Sequence, residues 1–292
     1  MAANDPREEG HKPPFPKQAQ DNPASEREMN PRPDYGYDSY RGHERLKDRV
    51  ALITGGDSGI GRAVAVAFAR EGADVAIVYA HSDQDADETL RAVAGAGRKG
   101  LKLKADIGKD DECRRIVREV VRDFGRIDVL VNNAAVQGKS VDKFEELTAE
   151  RVEHTFRTNI IAMFNLTREA LPHMKAGANV INTASIQAYK PTPNILDYAV
   201  TKGAIVTFTK GLSESLLERG IRVNCVAPGP VWTPLVVQSF SPEENAKFGQ
   251  SSTLGRPAQP AELAPAYVFL ASDEASYVSG EILGVTGGKP LG

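Results

Sequence analysis

The chain has 292 residues, of which 41% are hydrophobic and 26% charged, a size and balance that can bury a full core without covalent staples. A net charge of −3 with no basic stripe argues against nucleic acid as a partner, and no apolar run reaches the length of a membrane span. Two cysteines, Cys113 and Cys225, are too few for a disulfide framework. With an N-terminus that is polar, acidic and unlike a secretory signal, this predicts a cytoplasmic protein.

Residues 1–45 hold seven of the eighteen prolines and almost no aliphatic side chains. Such a segment has little apolar surface to offset its ordering entropy. It reads as a polar, proline-rich extension ahead of a domain spanning 46–292. Residues 1 to about 25 are expected to be mobile. Tyr35, Tyr37 and Tyr40 are the expected anchors for residues 30–45, with at least one of them largely buried.

From Leu46 the pattern becomes regular. Val50–Ile53 is a short apolar run ending in a glycine-rich turn. Ile60, Val64 and Phe68 then recur at i, i+4 and i+8, the mark of an amphipathic helix that Gly72 stops. Val75–Val78 reads as the next strand. Helical patterns near 83–96, 110–124, 147–175, 198–219 and 260–271 alternate with strand-like runs near 100–104, 128–131, 178–183, 221–226 and 281–285. Strands separated by helices pair in parallel through right-handed crossovers. The expected fold is α/β, a single doubly wound (Rossmann) domain with a seven-stranded parallel sheet.

The turn after the first strand reads Thr54-Gly55-Gly56-Asp57-Ser58-Gly59-Ile60-Gly61. Glycines there let the chain turn tightly and approach a pyrophosphate, and the following helix N-terminus directs N–H donors at it. Arg62-Ala63 stands where a Walker loop needs Lys-Ser/Thr. Tyr198 and Lys202 share a helix face at i and i+4, where an ammonium would lower the tyrosine pKa toward use as an acid/base. Ser185 closes the fifth strand, Asn132-Asn133-Ala134-Ala135 the fourth, and Pro228-Gly229-Pro230-Val231-Trp232-Thr233 the sixth. All three lie at the carboxyl edge where open α/β sheets bind ligands. Asn159 is an unusual residue inside a long helix. The five histidines show no metal-ligand spacing, and no metal is expected.

Together these motifs resemble the short-chain dehydrogenase/reductase family over residues 46–292, with Ala135 where the family usually has glycine. The tail, the run Ser185–Tyr189 and the run Pro228–Pro234 are similar to a subgroup of glucose/ribitol dehydrogenase homologues and NADPH-dependent aldehyde reductases. The resemblance implies hydride transfer between a nicotinamide and an aldehyde, sugar or polyol. It implies catalytic roles for Asn159, Ser185, Tyr198 and Lys202: Ser185 and Tyr198 hold the substrate oxygen, Tyr198 passes the proton, Lys202 holds the nicotinamide ribose, and Asn159 supports a water relay. It implies dinucleotide contacts from Gly55, Asp57, Ser58, Gly59, Ile60 and Gly61 in the turn. Further contacts would come from Tyr79, His81 and Asp106 at the adenosine end, with a turn or cap role as the alternative for Asp106. Asn132, Ala134, Pro228, Gly229, Val231, Thr233, Tyr198 and Lys202 would serve the rest. The residue ending the second strand is Tyr79, so the acid that holds an NAD ribose is missing. NADP is therefore favoured over NAD, with Arg62 one candidate partner for its 2′-phosphate. A homotetramer is expected. The alternatives are a catalytically silent NAD(P)-binding regulator and a sugar-nucleotide epimerase, whose glycine spacing differs. An enoyl reductase, whose tyrosine stands six residues before the lysine, is a further one.

Overall fold

A computed structural model describes residues 5–292. Seven parallel strands form one sheet in the order β3-β2-β1-β4-β5-β6-β7. They are β1 Val50–Thr54, β2 Asp74–Tyr79, β3 Gly100–Lys104, β4 Val129–Asn132, β5 Asn179–Thr183, β6 Arg222–Pro228 and β7 Ile282–Val285. The expected fold class and strand count hold. Strand β1 is buried from end to end, as a parallel strand covered on both faces must be. Its alternation divides the core: Ala51 and Ile53 face one helical layer, Val50 and Leu52 the other.

The first layer contains α1 (Gly59–Arg70) and α9 (Pro260–Ala271), packed closely on one another. The second contains α3 (Asp110–Phe124) and α5 (Ala162–Ala170), whose Cys113, Ile116, Val117 and Leu166 meet Leu52 and Leu130. Both Cys113 and Cys225 are buried free thiols. Strand order reverses between β1 and β4, where Ile53 pairs with Val131. This switch point opens a crevice at the carboxyl ends of the strands.

The helical run expected over 147–175 is composite. Helix α4 (Ala149–Phe156) passes through a π turn, Arg157–Ile161, into α5. Helix α6 spans Leu196–Leu216, and α2 spans Asp83–Gly95. Two short helices not foreseen, α7 (Pro234–Ser239) and α8 (Pro242–Ala246), follow β6. Among the described residues no helix is long and apolar enough to cross a membrane.

The N-terminal segment departs most from expectation. Residues 5–45 lie against the body, and residues 1–4 fall outside the described residues. The expected mobility of residues up to 25 is overturned by specific contacts. Arg256 Nη2 donates to the Pro6 carbonyl at 2.8 Å, and the Phe15 N–H donates to the Ala246 carbonyl at 2.8 Å. The anchors also extend beyond the tyrosines. Phe15, Glu26 and Met29 are buried, whereas Tyr37 is 48% exposed and Tyr35 and Tyr40 are half-buried. Phe15 meets Trp232 at 4.4 Å between ring centroids. Phe15, Met29 and the paired carboxylate of Glu26 thus anchor the earlier part of the segment, while Tyr35 and Tyr40 anchor the later part by packing on the core and donating their hydroxyls to Glu88 and Glu71.

Candidate active site

The glycine turn leaves β1 and bends back over the sheet edge. Gly55 at φ +63° and Gly59 at φ +52° adopt the left-handed conformation that side chains resist. Gly61 is needed for closeness instead: an added Cβ would sit 1.9 Å from the Gly55 carbonyl oxygen. Asn133 braces the turn, donating through Nδ2 to the carbonyls of Thr54 at 3.0 Å and Gly55 at 3.3 Å. The start of α1 therefore faces an open cradle, the arrangement that receives a pyrophosphate.

This cradle is one end of a cavity of about 580 Å³, within the usual size of a small-ligand site. Its wall includes Gly55, Asp57, Ser58, Gly59 and Ile60 of the turn. It also includes Tyr79, His81 and Asp106 at one end, and Ser185, Tyr198 and Lys202 at the other. Ala134, Pro228, Gly229, Val231 and Thr233 complete most of the expected set. The residues fit a dinucleotide by a glycine turn too tight for added side chains at one end and by the hydroxyls and ammonium of Ser185, Tyr198 and Lys202 at the other.

Three expected residues lie elsewhere. Gly61 packs helix against turn and does not line the cavity. Asn132 is the last residue of β4, and the pleat turns its side chain into the sheet layer. There its Nδ2 donates to Asn182 Oδ1 at 2.9 Å and Thr167 Oγ1 at 3.2 Å, while Asn133 takes the cavity wall. Asn159 sits buried in the π turn, a local widening often found at functional sites. Its amide accepts from the Val136 N–H at 2.8 Å and donates to the Val136 carbonyl and Thr201 Oγ1. It joins the loop after β4 to helix α6.

Tyr198 and Lys202 sit one turn apart near the start of α6, both buried. Lys202 Nζ donates to the Thr183 carbonyl at the end of β5, at 2.9 Å, and lies 5.1 Å from the Tyr198 ring centroid. Burial pushes the Tyr198 phenol up to about 12, with the Ser185 hydroxyl beside it working in the opposite direction. Burial pulls the Lys202 ammonium down to about 8. The expected depression of the tyrosine by the lysine is thus absent, because desolvation of the phenol dominates. Ser185 ends in extended backbone, and its Oγ accepts from the Gln187 N–H at 3.1 Å. Gln187 in turn is fixed by Thr192.

Arg62 is not free to meet a 2′-phosphate. It is fully buried, its Nη1 pairs with Glu26, its Nη2 lies 3.2 Å from Asp85 Oδ1, and its Nε donates to the Asp57 carbonyl at 2.8 Å. Burial pushes the Glu26 carboxyl up to about 7, and the Arg62 charge in contact with it opposes this. Asp106 accepts from the Gly108 N–H at 3.0 Å, the turn contact weighed as the alternative, while also lining the cavity. Thr233 begins α7 without a side-chain capping bond, which leaves its hydroxyl available. Sequence reasoning missed Asp197, buried beside Tyr198 and held by Arg151 Nε at 2.9 Å and Thr155 Oγ1 at 3.1 Å. This pair ties α6 to α4. No spacing signal marks it, since the partners are 46 residues apart.

Residues 55–289 match a family model described as enoyl-(acyl carrier protein) reductase. The glucose and ribitol dehydrogenase of Daucus carota is 50% identical over 281 residues, covering 94% of this chain and 96% of the relative. The chloroplastic NADPH-dependent aldehyde reductase 1 of Arabidopsis thaliana is 49% identical over 273 residues, covering 91% and 94%. The chain belongs to the short-chain dehydrogenase/reductase family. It is an NAD(P)-dependent oxidoreductase. Among solved structures, a short-chain dehydrogenase from Burkholderia cenocepacia in complex with NADP is similar at TM-score 0.76 and 29% identity, covering 84% of this chain and 98% of that one. A 3-ketoacyl-(acyl-carrier-protein) reductase from Brucella melitensis complexed with NADH is similar at TM-score 0.75 and 33% identity, covering 83% and 98%. The four-residue step from Tyr198 to Lys202 departs from the six-residue step expected of an enoyl reductase.

Proposed function

We propose that the protein reduces a small aldehyde or ketone, or oxidises the matching alcohol, with Tyr198 as its acid/base. The observation that carries this is the meeting of Ser185, Tyr198 and Lys202 at one end of the cavity whose other end is the glycine cradle. A bound dihydronicotinamide supplies the hydride to the carbonyl carbon. The hydroxyls of Ser185 and Tyr198 hydrogen-bond the carbonyl oxygen, where negative charge develops. Tyr198, protonated at neutral pH because its pKa lies near 12, gives its proton to that oxygen and leaves an alcohol. Lys202 holds the nicotinamide ribose and offsets the charge left on the phenolate. Asn159 keeps the loop and α6 in register for a water relay that restores the proton.

The substrate end is partly apolar, with Leu235, Phe240 and Phe248 in its wall. Gln137 also lines it, and its Nε2 is buried without a hydrogen-bond partner. Such a donor suits a substrate with a hydroxyl beyond the reacting carbon, as in a hydroxyaldehyde, sugar or polyol. NADP remains the favoured cofactor over NAD, now on Ser58, His81 and Ser82 rather than Arg62. Substituting His81→Ala should then raise the KM for NADPH and leave that for NADH unchanged. A homotetramer is supported by exposed apolar side chains along α5 and α6, with Phe164 at 53% and Val200 at 49%.

The decisive experiment screens aldehydes, sugars and polyols with NADPH and NADH, in wild type and in Tyr198→Phe. Turnover in wild type and a loss of about 10²–10⁴-fold in the variant supports the reading. Near-wild-type turnover in the variant removes Tyr198 from its role. Tight dinucleotide binding without turnover on any substrate class would favour the silent regulator.

A further inference from the structure

Residues 15–31 join two places on which the dinucleotide reading of the cavity depends. At the first, Phe15 packs on Trp232, and the Gln20 N–H donates to the Val237 carbonyl at 3.0 Å. Trp232 Nε1 donates to the Pro31 carbonyl at 2.7 Å. These contacts stitch the segment to α7, which closes one side of the cavity. At the second, the buried Glu26 carboxylate accepts from the Gly59 N–H at 3.0 Å and pairs with Arg62. Both partners belong to the cradle and the first turn of α1. Between the two, Asn22, Pro23 and Ala24 form part of the cavity wall. Ala24 is fixed there by its N–H, which donates to Gln238 Oε1 at 3.1 Å.

The charges are matched across this contact. The body contributes Arg62 with Asp85 and Glu88, one cation against two anions. The segment contributes Glu26 and Arg27, and Arg32, the residue that follows it, places its Nη2 2.6 Å from Glu88 Oε1. Without the segment, Arg62 loses Glu26 and Asp85 loses Arg27 beside the turn that must receive a pyrophosphate.

We propose that residues 15–31 are a strap whose docking is coupled to dinucleotide binding, with Glu26 as a positioning residue that fixes the Gly59 N–H and the Arg62 side chain for the cofactor. This rests on the dinucleotide reading of the cavity. Coupling of this kind is reciprocal: a cofactor that binds the strapped form more tightly must in turn hold the strap down.

The test uses the full chain. Hydrogen exchange of the amides in residues 20–31 is measured with and without saturating NADPH and NADH. It is expected to slow at least threefold with dinucleotide bound. In parallel, dinucleotide dissociation constants are measured by nicotinamide fluorescence for wild type, Glu26→Gln, Phe15→Ala and Glu8→Gln. Glu26→Gln is expected to weaken binding about tenfold, with the loss falling on cofactor KM more than on kcat. Phe15→Ala should weaken it about threefold or more, and the exposed Glu8→Gln not at all. Strap exchange that ignores a bound dinucleotide overturns the proposal, as does wild-type affinity in Glu26→Gln. If Glu26→Gln does not fold, the exchange result on wild type decides alone. If wild type binds neither dinucleotide, the reading of the cavity falls and takes the strap with it.

Discussion

Replacing Gly61 with alanine sets two known quantities against each other. Gly61 lies in the first turn of α1 at a negative φ, so helix propensity alone favours alanine by about 1 kcal/mol. The added Cβ, however, would stand 1.9 Å from Gly55 O and 2.7 Å from Asn133 Nδ2. Helix and turn must then part by about 1 Å to restore van der Waals contact. That movement costs roughly 1–3 kcal/mol of packing, and about 1 kcal/mol for each of the Asn133 bonds to Thr54 and Gly55 that it breaks. The losses exceed the gain, and net destabilisation of about 2–4 kcal/mol is expected. For a chain of this length that is a fall in Tm of some 3–7 °C. The matched control is Gly95→Ala at the end of α2, where a Cβ meets nothing within 4 Å, and Tm should hold or rise slightly. The assay is thermal unfolding with and without NADPH. Wild type gains stability from a bound ligand, about 2.7 kcal/mol at a hundredfold excess over Kd. Gly61→Ala should lose most of that gain, because the displaced turn no longer directs its N–H groups at the phosphates. A variant that melts within a degree of wild type and keeps the full ligand-induced rise would refute the close-packing argument.

Tyr198→Phe should bind NADPH but lose turnover by about 10²–10⁴-fold, read by stopped assays at saturating substrate. With Lys202 near 8 and Tyr198 near 12, the alkaline limb of kcat/KM for reduction should belong to the lysine, falling above about pH 8. Lys202→Arg, which keeps its charge, should move that limb upward, and an unmoved limb would exclude Lys202 as its source. The lowered lysine pKa also sets a sign for stability: its benefit is complete above about 10.5 and is lost as pH falls through about 8, which melts across that window would reveal. Phe164→Asp should shift the protein to smaller assemblies in light scattering, because the exposed ring on α5 is offered to a neighbouring copy. Removing Asp197 as Asp197→Asn should lower kcat several-fold and destabilise by about 1–3 kcal/mol, since Arg151 and Thr155 lose their buried partner.

Features legible in the sequence were the local ones. The glycine turn is contiguous, and Tyr198 and Lys202 lie one helical turn apart, so spacing alone forms a site. The parallel strands announced themselves as apolar runs because both of their faces are covered. Asn132 and Asn133 were harder, because the pleat sends neighbours to opposite sides and a one-residue choice of strand end decides which faces the cavity. Arg62 was misjudged for a different reason. Its partners Glu26, Asp85 and Glu88 come from distant points of the chain, and nothing local shows that a guanidinium beside a phosphate-binding turn is already taken. The three tyrosines point to anchoring of residues 30–45 alone, where Tyr35 and Tyr40 contact the body, while a phenylalanine, a methionine and a buried carboxylate hold down the residues before them. Composition measures how much apolar surface a segment carries, but not whether a groove of matching shape awaits it.

The partners of that segment also set an order on biosynthesis. Pro31 contacts Trp232, 201 residues later, and Pro6 contacts Arg256, 250 residues later. At ribosomal speeds of about 5–20 residues per second, these residues wait on the order of ten seconds or more after synthesis before their binding surface exists. During that interval they must neither aggregate nor capture the wrong strand edge of the growing sheet. Frequent prolines, which cannot donate to a ladder, and a scarcity of aliphatic side chains meet that need. The composition that resembles disorder is thus suited to a segment that is made first and seated last.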